Sequence, residues 1–263
     1  QVKDIVERHK LHTICTSGQC PNMAECWGMG TATFMILGDV CTRSCKFCAT
    51  KTGKPGGVDV DEPKNLADSV RLMKLKHCVI TSVDRDDLKD GGANHWAETI
   101  REMKRVNPIT TIEGLIPDFG GNSEFLKIVL DAGAEVISHN LETVRRLTPT
   151  VRSAAKYERS LQVIRQIAQS DAIAKSGIMV GIGETDNEIF ETMDDLLKAG
   201  CRVMTIGQYL QPTKQNMEVV EYIHPDTFKK WEKIGLEKGF DFVESSPLVR
   251  SSYHAEKHVK RRN

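Results

Sequence analysis

HCVITSVDRDDLKDGGANHWAETIREMKRVNPITTIEGLI, residues 77–116, decides the fold. Its first seven residues, 77–83, are mostly apolar and β-branched and read as a strand. A charged, glycine-bearing loop follows, then a helical pattern over 93–106 that ends before Pro108. TTIEGLI at 110–116 is the next strand. Strand, helix, strand in this order is one right-handed parallel unit. The same alternation extends in both directions. Upstream, TATFMIL (31–37) reads as a strand, and a helical pattern over 63–75 begins at Pro63. Downstream, helices are expected at 122–132 (stopping at Gly133), 156–170, 186–199 (stopping at Gly200) and 226–238. Strands are expected at 135–139, 176–182 and 202–210, with 241–246 extended. Strands apolar on both sides belong to a parallel sheet covered by helices. Six such units are too few for a complete eight-fold barrel. The expected fold is therefore α/β, a partial (β/α)6 barrel, preferred over an open doubly wound sheet. No strand is followed by G-x-G-x-x-G or a Walker loop.

The chain has 263 residues, with 36 Lys plus Arg against 36 Asp plus Glu. Zero net charge argues against a generally basic nucleic-acid binder and against an acidic disordered chain. At 40% hydrophobic and 27% charged residues, the composition is that of a soluble globular protein. No apolar run approaches the roughly 18 residues of a membrane span, and no signal-peptide pattern follows Gln1. The tail from Lys257 to Asn263 is a short basic run that reads as a solvated helix end. Cysteine is the unusual residue: six of the eight fall between Cys15 and Cys48. Thiols crowded into one end of a signal-free chain suggest ligation or catalysis in a reducing compartment, the cytoplasm.

Cys41, Cys45 and Cys48 form C-x3-C-x2-C in the loop after the first strand. Three thiolates do not close a four-coordinate zinc site. They can hold three irons of a [4Fe–4S] cube and leave the fourth open. Packed thiols, or zinc with a fourth ligand elsewhere, are the alternatives. Cys15, Cys20 and Cys26 form C-x4-C-x5-C just upstream and suggest a second cluster. Cys78 and Cys201 open predicted strands, about 20 Å from the carboxyl ends where chemistry gathers in such folds, and read as buried packing. Asp84, Arg85, Asp86 and Asp87 follow a strand at the reactive end and are either a solvated loop or part of the site. Met179 and Met204 read as core.

C-x3-C-x2-C with Phe47 before its last cysteine resembles the signature of radical S-adenosylmethionine enzymes. The resemblance implies that S-adenosylmethionine chelates the open iron and that the fold is a partial barrel. Further stretches are similar to one subfamily, the lipoyl synthases. They are LHTICTSGQCPNMAECW (11–27), SVDRDDLKDGGA (82–93), HNLETV (139–144), SGIMVGIGE (176–184), IGQYLQPT (206–213) and RSSYHAE (250–256). This wider likeness implies two [4Fe–4S] clusters, with Ser252, or else Ser251, as the fourth ligand of the second. It implies sulfur insertion at C6 and C8 of a protein-bound octanoyl-lysine, the sulfur coming from that second cluster. Catalysis would then rest on Cys41, Cys45, Cys48 and Ser252. Asn140 and Glu142 match a ribose-binding position of related enzymes, Arg159 is a candidate partner for the cofactor's carboxylate, and Glu184 and Phe47 complete its expected contacts. The partners implied are an octanoylated lipoyl carrier protein or domain, an electron donor and an iron–sulfur carrier that rebuilds the consumed cluster. Neither nucleic acid nor membrane is expected, and the chain is expected to be a monomer. Residues 1–30 and 245–263 are read as extensions that meet over the mouth of a barrel at 31–244. The rivals are a methylthiotransferase-like radical enzyme, a two-cluster electron carrier and a zinc-binding interaction module.

Overall fold

The computed structural model describes residues 11–17, 20–28, 33–253 and 255–258. The basic tail beyond His258 therefore lies outside the described residues. Ten strands are described: β1 (His12–Thr13), β2 (Thr33–Ile36), β3 (Val40–Cys41), β4 (Lys51–Thr52), β5 (His77–Ser82), β6 (Thr111–Leu115), β7 (Val136–Ser138), β8 (Ile173–Val180), β9 (Val203–Gln208) and β10 (Phe242–Ser246). The helices are α1 (Ile14–Ser17), α2 (Met23–Gly28), α3 (Glu62–Met73), α4 (Ala93–Val106), α5 (Ser123–Leu130), α6 (Thr148–Val151), α7 (Tyr157–Ala168), α8 (Asp186–Lys198) and α9 (Pro225–Lys238).

One sheet runs β1-β2-β5-β6-β7-β8-β9-β10. From β2 to β10 every neighbouring pair is parallel, and β1 adds antiparallel to the edge. β2 and β9 stand five places apart, roughly 24 Å on a flat sheet. Yet Met35 of β2, Thr81 of β5, Leu115 of β6, Gly177 of β8 and Thr205 of β9 all line one cavity. The sheet is therefore curled around that cavity: a partial barrel. The extended stretch at 241–246 is a seventh parallel strand, paired with β9 from Phe242 to Ser246.

Helices cover the outer face in two apolar layers. Trp96 and Ile100 of α4 pack with Ile80, Ile112 and Leu126 in one, where Cys78 is fully buried. Phe228 and Trp231 of α9 pack with Met193, Met204 and Val243 in the other, where Cys201 is fully buried. Burial pushes the Cys78 thiol well up and the Cys201 thiol up to about 12, so both are protonated spacers in the core.

Within the barrel, β8 begins at Ile173, three residues before the start expected from sequence. Lys175 is therefore inside the strand, pointing into the barrel below the site. Its Nζ lies 2.9 and 3.0 Å from the two oxygens of Glu113, and Ser138 Oγ donates to the same carboxylate at 2.7 Å. Lys175, Glu113 and Ser138 are all fully buried. A charge here is tolerated only because it is paired, so breaking the pair costs about 3–5 kcal/mol.

Candidate active site

The site lies at the carboxyl ends of the strands, in a cavity of about 460 Å³. After β2 the chain turns through Leu37, whose φ of 68° is left-handed, and Gly38 at 94°. It then enters the loop carrying Cys41, Cys45 and Cys48. This loop is pinned by its backbone: Thr42 N–H donates to Asp84 O at 3.0 Å, Lys46 N–H to Val151 O at 2.9 Å, and Cys48 N–H to Cys45 O at 3.1 Å. Amides also point at sulfur. Arg43 and Asp84 N–H groups donate to Cys41 Sγ at 3.4 and 3.3 Å, and Thr50 N–H to Cys48 Sγ at 3.4 Å. Backbone donors to sulfur stabilise thiolate ligands and tune a cluster's potential. Burial, with the Asp84 carboxylate adding to it, pushes the Cys41 thiol up to about 11, and burial also raises Cys45. Loading iron must therefore release protons. Among the described residues no three His, Cys, Asp or Glu side chains converge as ligands of a single ion would. A cube is gripped at separate corners, and three thiols on one loop with amides aimed at the sulfurs fit that group.

Arg43, between the first two of these cysteines, anchors the loop to its neighbours. Its guanidinium meets Asp86 at 2.8 and 2.7 Å, Asp118 at 2.8 Å and Asp84 at 3.3 Å. Against burial, which would raise it, the guanidinium holds fully buried Asp118 down to about 2. The charged run 84–87 is thus divided, with Asp86 and Asp87 exposed and their carboxylates paired with Arg43 and Arg85. Asp84 lines the cavity, and buried Arg85 binds Asp87 and the carbonyls of Leu37 and Gly56. The same network takes in Arg159, which is not on the cavity wall: its Nη1 lies 3.3 Å from Asp118.

Cys15 and Cys20 share the cavity wall with Arg250, Ser251 and Ser252. Cys20 N–H donates to Cys15 O at 3.0 Å, which folds the first two thiols of the upstream group together. Asn22 Nδ2 donates to Leu248 O at 2.7 Å across 226 residues of sequence, which ties the segment of the upstream cysteines to the one that precedes Ser251 and Ser252. Cys26, one turn further on in α2, is half-buried and is not on the wall.

On the wall formed after β7 stand His139, Asn140, Glu142 and Arg152. Glu142 has a φ of 67°, rare for a side-chain-bearing residue, while its backbone continues the ladder: its N–H donates to Gly177 O and its O accepts from Met179 N–H. Strain of this kind marks functional positions. Burial raises the Glu142 carboxyl, while Arg152 and a hydrogen bond from Asn140 oppose the rise. His139 Nδ1 donates to Ile116 O at 2.9 Å, which leaves Nε2 to accept from Ser160. Burial and the Arg152 charge bring His139 down to about 4, so it is neutral. Arg152 Nη1 binds Asn140 O, Leu141 O and Ser160 Oγ. Its Nε and Asn140 Oδ1 are buried without an internal hydrogen-bond partner. Two unspent polar atoms in a cavity wall are a binding capacity. At Gly177 a Cβ would clash with Thr205 Oγ1 and crowd Asn140 Oδ1, so any larger residue here forces Thr205 to shift.

Glu184 is not brought to the cavity. Its carboxylate accepts the N–H groups of Gly181 and Ile182 and shapes its own loop. Phe47 lines the cavity and packs, as Met179 and Met217 do, against the cluster of Val151, Ile182 and Tyr209. Met179 is therefore a wall residue as well as a packing one. Arg152, Arg43 and Tyr209 were not singled out by sequence reasoning. No spacing marks them, because their partners come from other strands.

Residues 35–196 match the family model described as the radical SAM superfamily, and the chain belongs to that superfamily. Solved structures share the fold at low identity. A maturase of the [FeFe]-hydrogenase has TM-score 0.64 and 11% identity over 92% of this chain and 62% of its own. Methylornithine synthase has TM-score 0.56 and 14% identity over 82% and 66%. Much nearer in sequence are curated relatives named lipoyl synthase. That of Phocaeicola vulgatus is 65% identical over 260 residues, 99% of this chain and 92% of the relative. That of Treponema denticola is 60% identical over 98% and 89%. The chain is a member of the lipoyl synthase family. Among the described residues no helix is long and apolar enough to cross a membrane.

Proposed function

We propose that this enzyme inserts two sulfur atoms, at C6 and C8, into an octanoyl-lysine carried on a lipoyl carrier protein or domain. The observation that carries this reading is one cavity wall holding Cys41, Cys45 and Cys48 together with Cys15, Cys20, Ser251 and Ser252, in a chain this similar to lipoyl synthases. Cys41, Cys45 and Cys48 hold the cluster with the open corner. Cys15, Cys20 and Cys26 with Ser252 hold the second, and gathering that set asks α2 to turn Cys26 toward the wall. When bound, the first cluster and S-adenosylmethionine supply hydrogen-atom abstraction, which C–H bonds without acidity require.

The chain's own residues bind, orient and exclude water. Asn140 and Glu142 take the ribose hydroxyls. Arg152, with Nε unspent, takes the carboxylate in place of Arg159. Met35, Ile116, Ile178 and Val249 give the cavity its apolar lining and seat the alkyl chain. A serine oxygen is a harder and weaker iron ligand than thiolate, so Ser252 would hold its iron loosely and leave the second cluster easier to dismantle as a sulfur source. An electron donor and an iron–sulfur carrier are needed for turnover. The test is to incubate iron- and sulfide-loaded, reduced protein with S-adenosylmethionine and an octanoyl-lysine peptide. Mass spectrometry should show two added sulfurs, and Cys41→Ala should form no 5′-deoxyadenosine. Peptide unchanged in mass, beside abundant 5′-deoxyadenosine, contradicts the sulfur-insertion reading.

A further inference from the structure

The IGQYLQPT stretch leads into a strap, residues 209–223, that leaves β9 and crosses to the loop of the first cysteine group. Both ends of the strap are fixed. Gln208 Nε2 donates to Val180 O, Tyr209 O and Glu221 O, and its Oε1 accepts from Ile223 N–H. Val220 and Glu221 N–H groups donate to Gly181 O. At mid-strap, Asn216 Nδ2 donates to Lys46 O at 3.1 Å and Cys48 O at 2.9 Å. Those two carbonyls flank Phe47, which packs against the apolar cluster that includes Tyr209, and Met217 of the same strap packs against that cluster too. Tyr209 OH in turn donates to Met217 O at 2.7 Å, and Met217 N–H donates to Lys46 O at 3.2 Å.

The amide of Asn216 has only one orientation open to it. Thr213 Oγ1 accepts from Gln215 N–H and donates its proton to Asn216 Oδ1 at 2.8 Å. Oδ1 is thereby held on the strap side, and both N–H bonds are aimed at the cysteine loop.

We infer that Asn216 is a positioning residue for the Cys45–Phe47–Cys48 turn, with Thr213 setting its amide. Through it, the barrel wall at β9 fixes the spacing of two of the three thiols of the loop on the β2 side. The inference deepens the proposed function in its cluster arm and is independent of that reading in its metal-free arm.

Asn216→Asp keeps the shape of the side chain and replaces the two N–H donors by an oxygen facing two carbonyls. Thr213→Val keeps the amide and frees its orientation. In metal-free full-length protein, hydrogen exchange of residues 45–50 should quicken about tenfold or more in Asn216→Asp, and less in Thr213→Val. Exchange of α4 and α8 should stay at the parent rate. In iron- and sulfide-loaded protein, the change that S-adenosylmethionine makes in the electron paramagnetic resonance spectrum should shrink in both variants. If Asn216→Asp does not fold, Thr213→Val carries both readouts. Parent-like exchange at 45–50 in both variants overturns the inference, as does an undiminished spectral change. A parent protein whose spectrum ignores S-adenosylmethionine counts against the cluster reading instead, and the exchange result still decides for or against Asn216.

Discussion

Arg43 shows what a single residue does in this molecule. It sits in the cysteine loop and neutralises carboxylates from two other loops, one of them the fully buried Asp118. Arg43→Ala leaves that charge without its nearest cation. The expected loss is about 3–5 kcal/mol, read by urea unfolding, whereas an effect below about 1 kcal/mol would mean that Arg159 alone suffices. His139 gives a pH dependence with a definite sign. Its folded value, about 4, lies below the ordinary 6.5, so the unfolded chain binds the extra proton between them. Stability is fully present above pH 6.5 and falls as the pH drops from 6.5 toward 4, by up to about 1.4 kcal/mol per unit. Denaturant titrations across that window should show the slope, and His139→Gln should flatten it. The cysteines were legible in the sequence because ligand spacing within a loop is local. Arg43 and Arg152 were not, since what makes them functional is three carboxylates and an unfilled hydrogen bond supplied by distant strands.

At the scale of elements, strands apolar on both faces make the parallel units readable from the residues alone. Where β8 begins is harder to see. Lys175 looks like a polar strand start, and only Glu113, 62 residues away, makes a lysine acceptable inside the barrel. α1, α2 and β3 are two to six residues long, too short for any periodicity to announce them. β8 also carries the sharpest packing constraint near the site. Gly177→Ala sets a methyl group 2.2 Å from Thr205 Oγ1, and the expected cost is about 1–3 kcal/mol with weakened S-adenosylmethionine binding. Adding Thr205→Ala should recover part of both losses, seen as non-additivity in a double-mutant cycle. Additive losses would place the strain elsewhere.

For the whole molecule, the curl of the sheet brings residues of five of its seven parallel strands to one cavity, whose wall also holds Cys15, Cys20, Ser251 and Ser252. The contact between Asn22 and Leu248 ties the upstream cysteines to the segment that bears Ser251 and Ser252. The sequence pointed to this meeting only through resemblance, because nothing in either segment alone calls for the other. In the proposed reading the two cysteine groups divide the labour: one is positioned by the barrel loops, the other by the contact between Asn22 and Leu248. Cys20→Ala tests this most directly. Loaded and reduced, the variant should still convert S-adenosylmethionine to 5′-deoxyadenosine while adding no sulfur to an octanoyl-lysine peptide. Lipoyl-lysine formed at the parent rate by Cys20→Ala would contradict the two-cluster reading.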